Sequence, residues 1–385
     1  MYAGKMKILK HKWLVLIALI LLISLSIFVA IELSNNERRT TPKFFLGVEY
    51  AYGDFGGVND CKALVDKVKG YTNLFVVGLA GITFNRTSLS EACDYIYDAG
   101  LYFVVQLTSP IKYSYTIEDW VVEAKEKYRD KFLGVYYFDE PGGRQLDDEA
   151  SRFVLEAENY ADASENYVYY LYVHLKSYLD LDVKVFTADY GLYWFDYKAG
   201  YDAVFTEFGW NHSRHLHIAM CRGAANAQNK DWGAIITWTY NGTPYIESGD
   251  KLYSDMELAY RAGAKYIIVF NYPKIGPYGI LMEEHFRALK DFWNYVHTHP
   301  EIHGIEEGEV AYVLPENYGF GFRDYNDTLW GIWEADELSK NIWEDVNNLI
   351  NTYRSRLDIV YNDPELINSI KNRYNKLIFW NKTTT

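Results

Sequence analysis

Only three of the 385 residues are cysteine. Cys61, Cys93 and Cys221 match no zinc-ligand spacing, which removes a thiolate-held metal as the organising element of the fold; a Cys61–Cys93 disulfide and buried free thiols both stay open. Cations are scarce as well. Lys and Arg number 38 against 52 Asp and Glu, for a net charge of −14, and no basic stripe occurs beyond residue 45. Neutralising phosphates requires clustered Lys and Arg, so nucleic acid is excluded as a partner and anionic polymers are poor substrates. A Gly-rich phosphate loop is missing too: Gly53, Gly56 and Gly57 do not make the fingerprint that an open, doubly wound sheet needs after its first strand. So is a histidine metal motif, because His212, His215 and His217 stand three and two residues apart with no HExxH pattern and no bracketing carboxylate. Asp147, Asp148 and Glu149 read as acidic residues at a helix N-terminus and not as a calcium loop. Neither a metal nor a cofactor is expected.

What is present begins with one long apolar run, Trp13 to Ile31. About 20 such residues suffice to cross the hydrocarbon core of a bilayer. Lys5, Lys7, Lys10 and Lys12 precede it and Glu37, Arg38 and Arg39 follow it. The positive-inside rule therefore expects residues 1–12 in the cytoplasm, residues 13–33 as a signal anchor in the lipid bilayer and the body outside the cell. A cleaved signal peptide is the competing reading, but the run exceeds an h-region of roughly 7–15 residues and no small-x-small cleavage site stands near Ala30. Residues 34–42 are polar and end in Pro42, as a short stalk does. Sequons at Asn85, Asn211, Asn241, Asn326 and Asn381 suit an exported glycoprotein. Asn211 and Asn241 are expected close to the mouth of the site and unmodified.

From residue 43 the chain alternates. Expected strands are Phe44–Tyr50, Asn73–Gly78, Tyr102–Leu107, Phe132–Phe138, Lys184–Ala188, Ala203–Phe208, Ala234–Tyr240 and Tyr266–Tyr272. Helical patterns lie around 60–70, 88–99, 117–129, 147–179, 213–229, 248–262 and 282–298. Eight strands alternating with helices predict an α/β fold, a (β/α)8 TIM barrel over residues 43–308. A recurrent joint supports the count: Ala99-Gly100, Ala199-Gly200 and Ala262-Gly263 each precede a strand, where glycine relieves a left-handed helix cap. Residues 309–385 predict a small α/β appendage, with short strands at Val310–Leu314, Thr328–Trp333, Leu357–Tyr361 and Leu377–Trp380 and helices at 336–355 and 364–374, packed on the barrel as a partial sheet.

Gly134-Val135-Tyr136-Tyr137-Phe138-Asp139-Glu140-Pro141 carries the most chemistry. Its apolar run predicts a strand, and Pro141 cannot donate to a sheet, so Asp139 and Glu140 belong at the strand's C-terminal edge. In a barrel that edge is where ligands bind. The competing role, a cap for the following helix, suits Asp147 or Asp148 better. The other strand ends add Glu49, Asp189, Glu207, Tyr240 and Asn271, together with the aromatic residues Tyr50, Tyr52, Tyr190, Trp194, Trp210, Trp238, Tyr245 and Tyr272. The chain holds 36 Tyr and 11 Trp, and such amphipathic rings suit the apolar faces of sugars. Carboxylates beside aromatic platforms suggest glycoside hydrolysis, in which one carboxylic acid protonates the leaving oxygen and a second group stabilises or attacks the anomeric carbon.

On these residues the chain resembles the (β/α)8 glycoside hydrolases. The large retaining clan carries Asn-Glu-Pro at its fourth strand end, where this chain has Asp139-Glu140-Pro141. The resemblance implies that Glu140 is the general acid/base and that a carbohydrate polymer or other glycan is the partner. The clan's nucleophile, a glutamate at the end of strand seven, has no counterpart in Ile235-Ile236-Thr237-Trp238-Thr239-Tyr240-Asn241. Adjacent Asp-Glu at a fourth strand end is similar to the barrel hexosaminidases that use substrate assistance, which implies that Asp139 orients a 2-acetamido group. Glu207 on strand six is the other candidate, as nucleophile or water-activating base, and the separation of the two carboxyls tells retention from inversion. With no carboxylate on strand seven, the rival expectation is a catalytically silent barrel that binds glycans or builds a cell-envelope layer.

Overall fold

Apolar runs of four to six residues, buried on both faces as parallel barrel strands must be, form β1 (Phe45–Tyr50), β2 (Leu74–Val77), β3 (Tyr102–Leu107), β4 (Phe132–Tyr137), β5 (Val185–Asp189), β6 (Ala203–Phe208), β7 (Asp231–Ile236) and β8 (Tyr266–Val269). Each pairs in parallel with its neighbours in sequence, and β1 pairs with β8, so the sheet closes. The computed structural model describes residues 42–382 apart from 52–55, 79–80, 148 and 273–274. Helices α1 (Val58–Val68), α2 (Arg86–Asp98), α3 (Ile117–Tyr128), α4 (Pro141–Asp147), α5 (Tyr160–Asp180), α6 (Tyr193–Ala199), α7 (Arg214–Ala227), α8 (Gly249–Arg261) and α9 (Glu283–Thr298) connect the strands and follow the last one. Gly100, Gly200 and Gly263, at the three expected joints, all have positive φ.

Aromatic rings account for the barrel's lower interior. Tyr266 stacks on Phe45 at 5.1 Å and meets Phe186 at 5.5 Å and Phe205 at 5.7 Å, while Tyr102 packs edge-on to Phe45 at 5.3 Å. Many of the aromatics counted in the sequence are therefore core.

After α9 the chain forms β9 (Val310–Leu314), α10 (Glu337–Tyr353), β10 (Leu357–Tyr361), α11 (Ile367–Arg373) and β11 (Lys376–Phe379). The three strands make a parallel sheet in the order β10-β9-β11. It is pinned to α7 through Arg222, which is buried, pairs with Asp358 on β10 at 2.7 Å and donates to the carbonyls of Ala262, Glu306, Ser355 and Leu357. Gly223 lets the backbones touch, since a Cβ there would lie 2.3 Å from the Ile359 carbonyl oxygen.

Three expectations are corrected. No helix among the described residues is long and apolar enough to cross a membrane, which counts against single-pass anchoring with an extracellular body; the run expected in the bilayer, residues 13–33, lies outside the described residues. Thr328–Trp333 is not a strand: only isolated bridges join Leu329 to Phe320 and Trp333. The helix expected over 147–179 divides into α4 and α5, so Asp147 ends a helix where it was expected to cap one. The connection between β5 and β6 is the buried helix α6. Cys61, Cys93 and Cys221 are buried free thiols.

Candidate active site

The chain turns abruptly where β4 ends. Phe138 and Glu140 have φ of 53° and 50°, a left-handed conformation that costs a non-glycine residue energy and persists only where its surroundings impose it. Here the constraint is visible. The Glu140 N–H donates to the Ala188 carbonyl at 3.0 Å, tying the turn to β5. Pro141 starts α4, where its missing N–H costs nothing. The next two amides, Gly142 and Gly143, donate to the Asp189 carboxylate at 2.5 and 2.9 Å, as do Tyr190 and Gly191 at 2.7 and 3.1 Å. Both glycines are required by close approach: a Cβ on Gly142 would lie 2.4 Å from the Gly191 carbonyl oxygen, and one on Gly143 would penetrate the Tyr190 ring. Asp189 was expected to bind substrate; with both oxygens filled by backbone amides it instead holds the Glu140 turn in place.

The turn faces a cavity of about 300 Å³ lined by Glu49, Tyr136, Asp139, Glu140, Ala188, Glu207, Ile235, Thr237, Trp238, Phe270 and Tyr272. Six of the fifteen candidate residues, Glu49, Asp139, Glu140, Glu207, Trp238 and Tyr272, share this wall. Glu140 and Glu207 are in hydrogen-bonding contact through their side chains. Burial, followed by the charge of Asp139, pushes Glu140 up to about 7. Burial, followed by the charge of Glu140, holds Glu207 well above the usual carboxylate range. The pair therefore titrates as a unit, and sharing of a proton between the two carboxyls is favoured towards neutral pH. Glu49 is also raised, by burial and then by Asp139. Asp139 accepts a short hydrogen bond from the Tyr136 hydroxyl. Among the described residues lining the cavity none is Lys, Arg or His.

An aromatic wall completes the cavity. Trp238 meets Tyr272 edge-on at 5.6 Å and Phe270 at 5.1 Å. The remaining candidates lie elsewhere. Trp194 is buried on α6 with its ring 5.2 Å from that of Tyr361, so it joins the barrel to the C-terminal sheet and does not reach the mouth. Trp210 and Tyr240 are exposed on the loops after β6 and β7; the Trp210 amide donates to the Trp238 carbonyl and the Tyr240 hydroxyl to Glu247 at 3.1 Å. Tyr190 covers Gly143 and donates to Asp147 at 2.7 Å. Asn271 is buried, accepting from the Ile280 amide at 3.0 Å, and the Tyr50 hydroxyl points at Gly56. Tyr52 lies outside the described residues.

Sequence reasoning missed Tyr136, Thr237 and Phe270. Period-two alternation groups Gly134 with Tyr136 on one side of β4, but a strand buried on both faces does not reveal which side looks inward.

No family model matches the chain, and no curated protein matches its sequence. Solved structures do share its fold. α-L-Fucosidase isoenzyme 2 from Paenibacillus thiaminolyticus superposes with a TM-score of 0.51 at 10% identity, covering 88% of this chain and 64% of the fucosidase. A β-1,4-D-mannanase from Cryptopygus antarcticus matches with a TM-score of 0.45 at 13% identity, over 64% of this chain and 89% of the mannanase. The chain is thus a (β/α)8 barrel with the fold of the fucosidase, of which it spans under two thirds. Identity this low speaks for the fold alone, and any activity has to be argued from the site.

Proposed function

We propose that the protein is a glycoside hydrolase that takes one sugar residue of a glycan into the barrel mouth, with Glu140 as general acid/base and Glu207 as the second carboxylate. The observation that supports this most is the hydrogen-bonded contact of Glu140 with Glu207 on a cavity of about 300 Å³, at the lower end of the size of ligand pockets. A carboxylic acid pushed up to about 7 is half-protonated near neutrality, which suits an acid that must give a proton and later take one back. Carboxyls in mutual contact leave no room for a water between them, whereas inverting enzymes hold theirs roughly 6.5–9.5 Å apart and retaining ones roughly 5–5.5 Å. The pair therefore favours retention. When substrate enters, the shared proton passes to Glu140, which delivers it to the glycosidic oxygen as the C1–O bond breaks. The freed Glu207 carboxylate attacks C1, and water, deprotonated by Glu140, then releases the sugar. Trp238 and Tyr272 supply the apolar wall for the ring.

A second reading rests on Asp139, which lines the same cavity and is oriented by the Tyr136 hydroxyl: it positions a 2-acetamido group whose oxygen attacks C1. Aryl glycosides with and without the acetamido group, assayed with Glu207→Gln and Asp139→Asn, separate the two. Under the paired mechanism Glu207→Gln is the severe lesion on every substrate. Under substrate assistance Asp139→Asn is severe on acetamido substrates alone. Glycan binding without turnover on any substrate refutes both and leaves a binding barrel.

A further inference from the structure

Glu49 is a carboxyl at the mouth that neither reading of the mechanism uses. It lies at the end of β1, its side chain is 98% withdrawn from solvent because the residue is only 2% exposed, and it lines the cavity. Glu207 is held by Glu140, Asp139 by Tyr136 and Asp189 by four amides, but Glu49 makes no hydrogen bond and no ion pair with any described residue. The charge that bears on it is a like one, Asp139. A buried carboxyl with neither partner nor counter-charge is costly. Such a group is tolerated where something outside the chain supplies the partner.

We propose that the Glu49–Asp139 side of the cavity is the seat of an ammonium group, so that the sugar taken up is a hexosamine with a free amine. The reading rests on the cavity being the sugar site described above. Among its described lining residues are four carboxyls and no cationic side chain, so an anionic sugar is disfavoured and a neutral one leaves Glu49 with no counter-charge. A matching occupant for a sugar site whose described lining is acidic is an organic cation. An ammonium has three donors and satisfies Glu49 and Asp139 together. The assignment also bears on mechanism, because a free amine has no acetamido oxygen to attack C1. Asp139 then serves binding, and catalysis falls to Glu140 and Glu207.

The titratable groups that share the cavity with Glu49 are Asp139, Glu140, Glu207 and the hydroxyls of Tyr136 and Tyr272. Since burial raises Glu49, the ionised form that an ammonium needs is gained as pH rises. Amine binding should tighten from pH 5 towards 7.5. A protonated Glu49 donating to a sugar hydroxyl would give the opposite slope.

The test is calorimetric titration of the full chain with glucosamine, N-acetylglucosamine and glucose. Glucosamine should bind tightest, and Glu49→Gln should lower the glucosamine-to-glucose affinity ratio on the order of 10–100-fold, as expected for a hydrogen bond to a charged group. Equal or tighter binding of glucose or N-acetylglucosamine, binding of none of the three, a glucosamine affinity that falls as pH rises, or a Glu49-dependent site for calcium in place of glucosamine would each overturn it. Glu140→Gln keeps this failure apart from failure of the hydrolase reading. Glu140-dependent cleavage of neutral glycosides in preference to amino ones sinks the ammonium seat alone, whereas Glu49-dependent glucosamine binding with no turnover sinks the hydrolase alone.

Discussion

At the junction of α7 with β10 the buried Asp358 carboxylate meets Arg222 at 2.7 Å and accepts from the Tyr374 hydroxyl at 2.7 Å and from Asn226 at 3.2 Å. At the barrel mouth four carboxyls face one cavity, and no cation stands among the described residues lining it. Both regions remove charge from water, at a cost that opposite charge and hydrogen bonds offset. In the first every partner is supplied by the chain, and the outcome is attachment of the C-terminal sheet. In the second Glu49 has no partner among the described residues, and the outcome is a set of raised carboxyls that line a cavity. Incomplete compensation is what supports the proposal of a reactive site here, because natural proteins keep uncompensated buried groups chiefly where function requires them.

The comparison breaks first at Glu140. Glu140→Gln should lower hydrolysis by about 10²–10⁴ while leaving the folded structure in place, because the amide keeps the shape but cannot move a proton. Rates measured beside the circular dichroism spectrum check it, and unchanged activity refutes the assignment. Next in size is the junction. Asp358→Ala strands the Arg222 guanidinium in a buried site and should cost about 3–5 kcal/mol, seen as a lower urea midpoint. A loss below about 1 kcal/mol would show that the pair is not what holds the sheet.

Stability should respond to the two regions with opposite signs. Glu140 binds its proton more tightly folded, at about 7, than at its ordinary 4.5. Between those values the native state holds more protons, so this group makes stability fall as pH rises from about 4.5 to 7. Glu140→Gln should therefore stabilise the protein at pH 7, on the order of 2 kcal/mol, and not at pH 4. Thermal melts at both pH values read this, and equal shifts at the two would mean that Glu140 is not strained by its surroundings. The smallest effect belongs to the aromatic wall. Trp238→Ala should weaken substrate binding by about 0.5–1.5 kcal/mol and appear mainly in KM; a loss confined to kcat would place Trp238 in orientation and not in stacking.

The eight barrel strands were legible because a run buried on both faces has to be apolar from end to end, and the glycine joints at Gly100, Gly200 and Gly263 punctuated them. Asp139 and Glu140 were legible for a local reason, since Pro141 ends the strand on which they stand. The roles of Asp189 and Trp194 were not. Each occupies a strand end or an early helical turn of the expected kind, yet Asp189 turns back onto the Gly142 and Gly143 amides and Trp194 packs on Tyr361, contacts to residues 46 to 167 positions away. The helix break between α4 and α5 was hidden as well, because it is stabilised from the far end of the chain: Gln145 donates to the Trp330 carbonyl at 2.8 Å.

Composition and periodicity, then, determined the strands, the helices and the place of Asp139-Glu140-Pro141 at an edge, since these depend on which residues are apolar and at what spacing. Only the closed barrel decided which edge residues share a cavity. Closure sets Glu49 of β1, Glu140 after β4 and Glu207 of β6 around one mouth, and it withdraws them from water with no cation among the described residues lining it, so their charge and proton affinity are properties of that enclosure and not of the residues themselves.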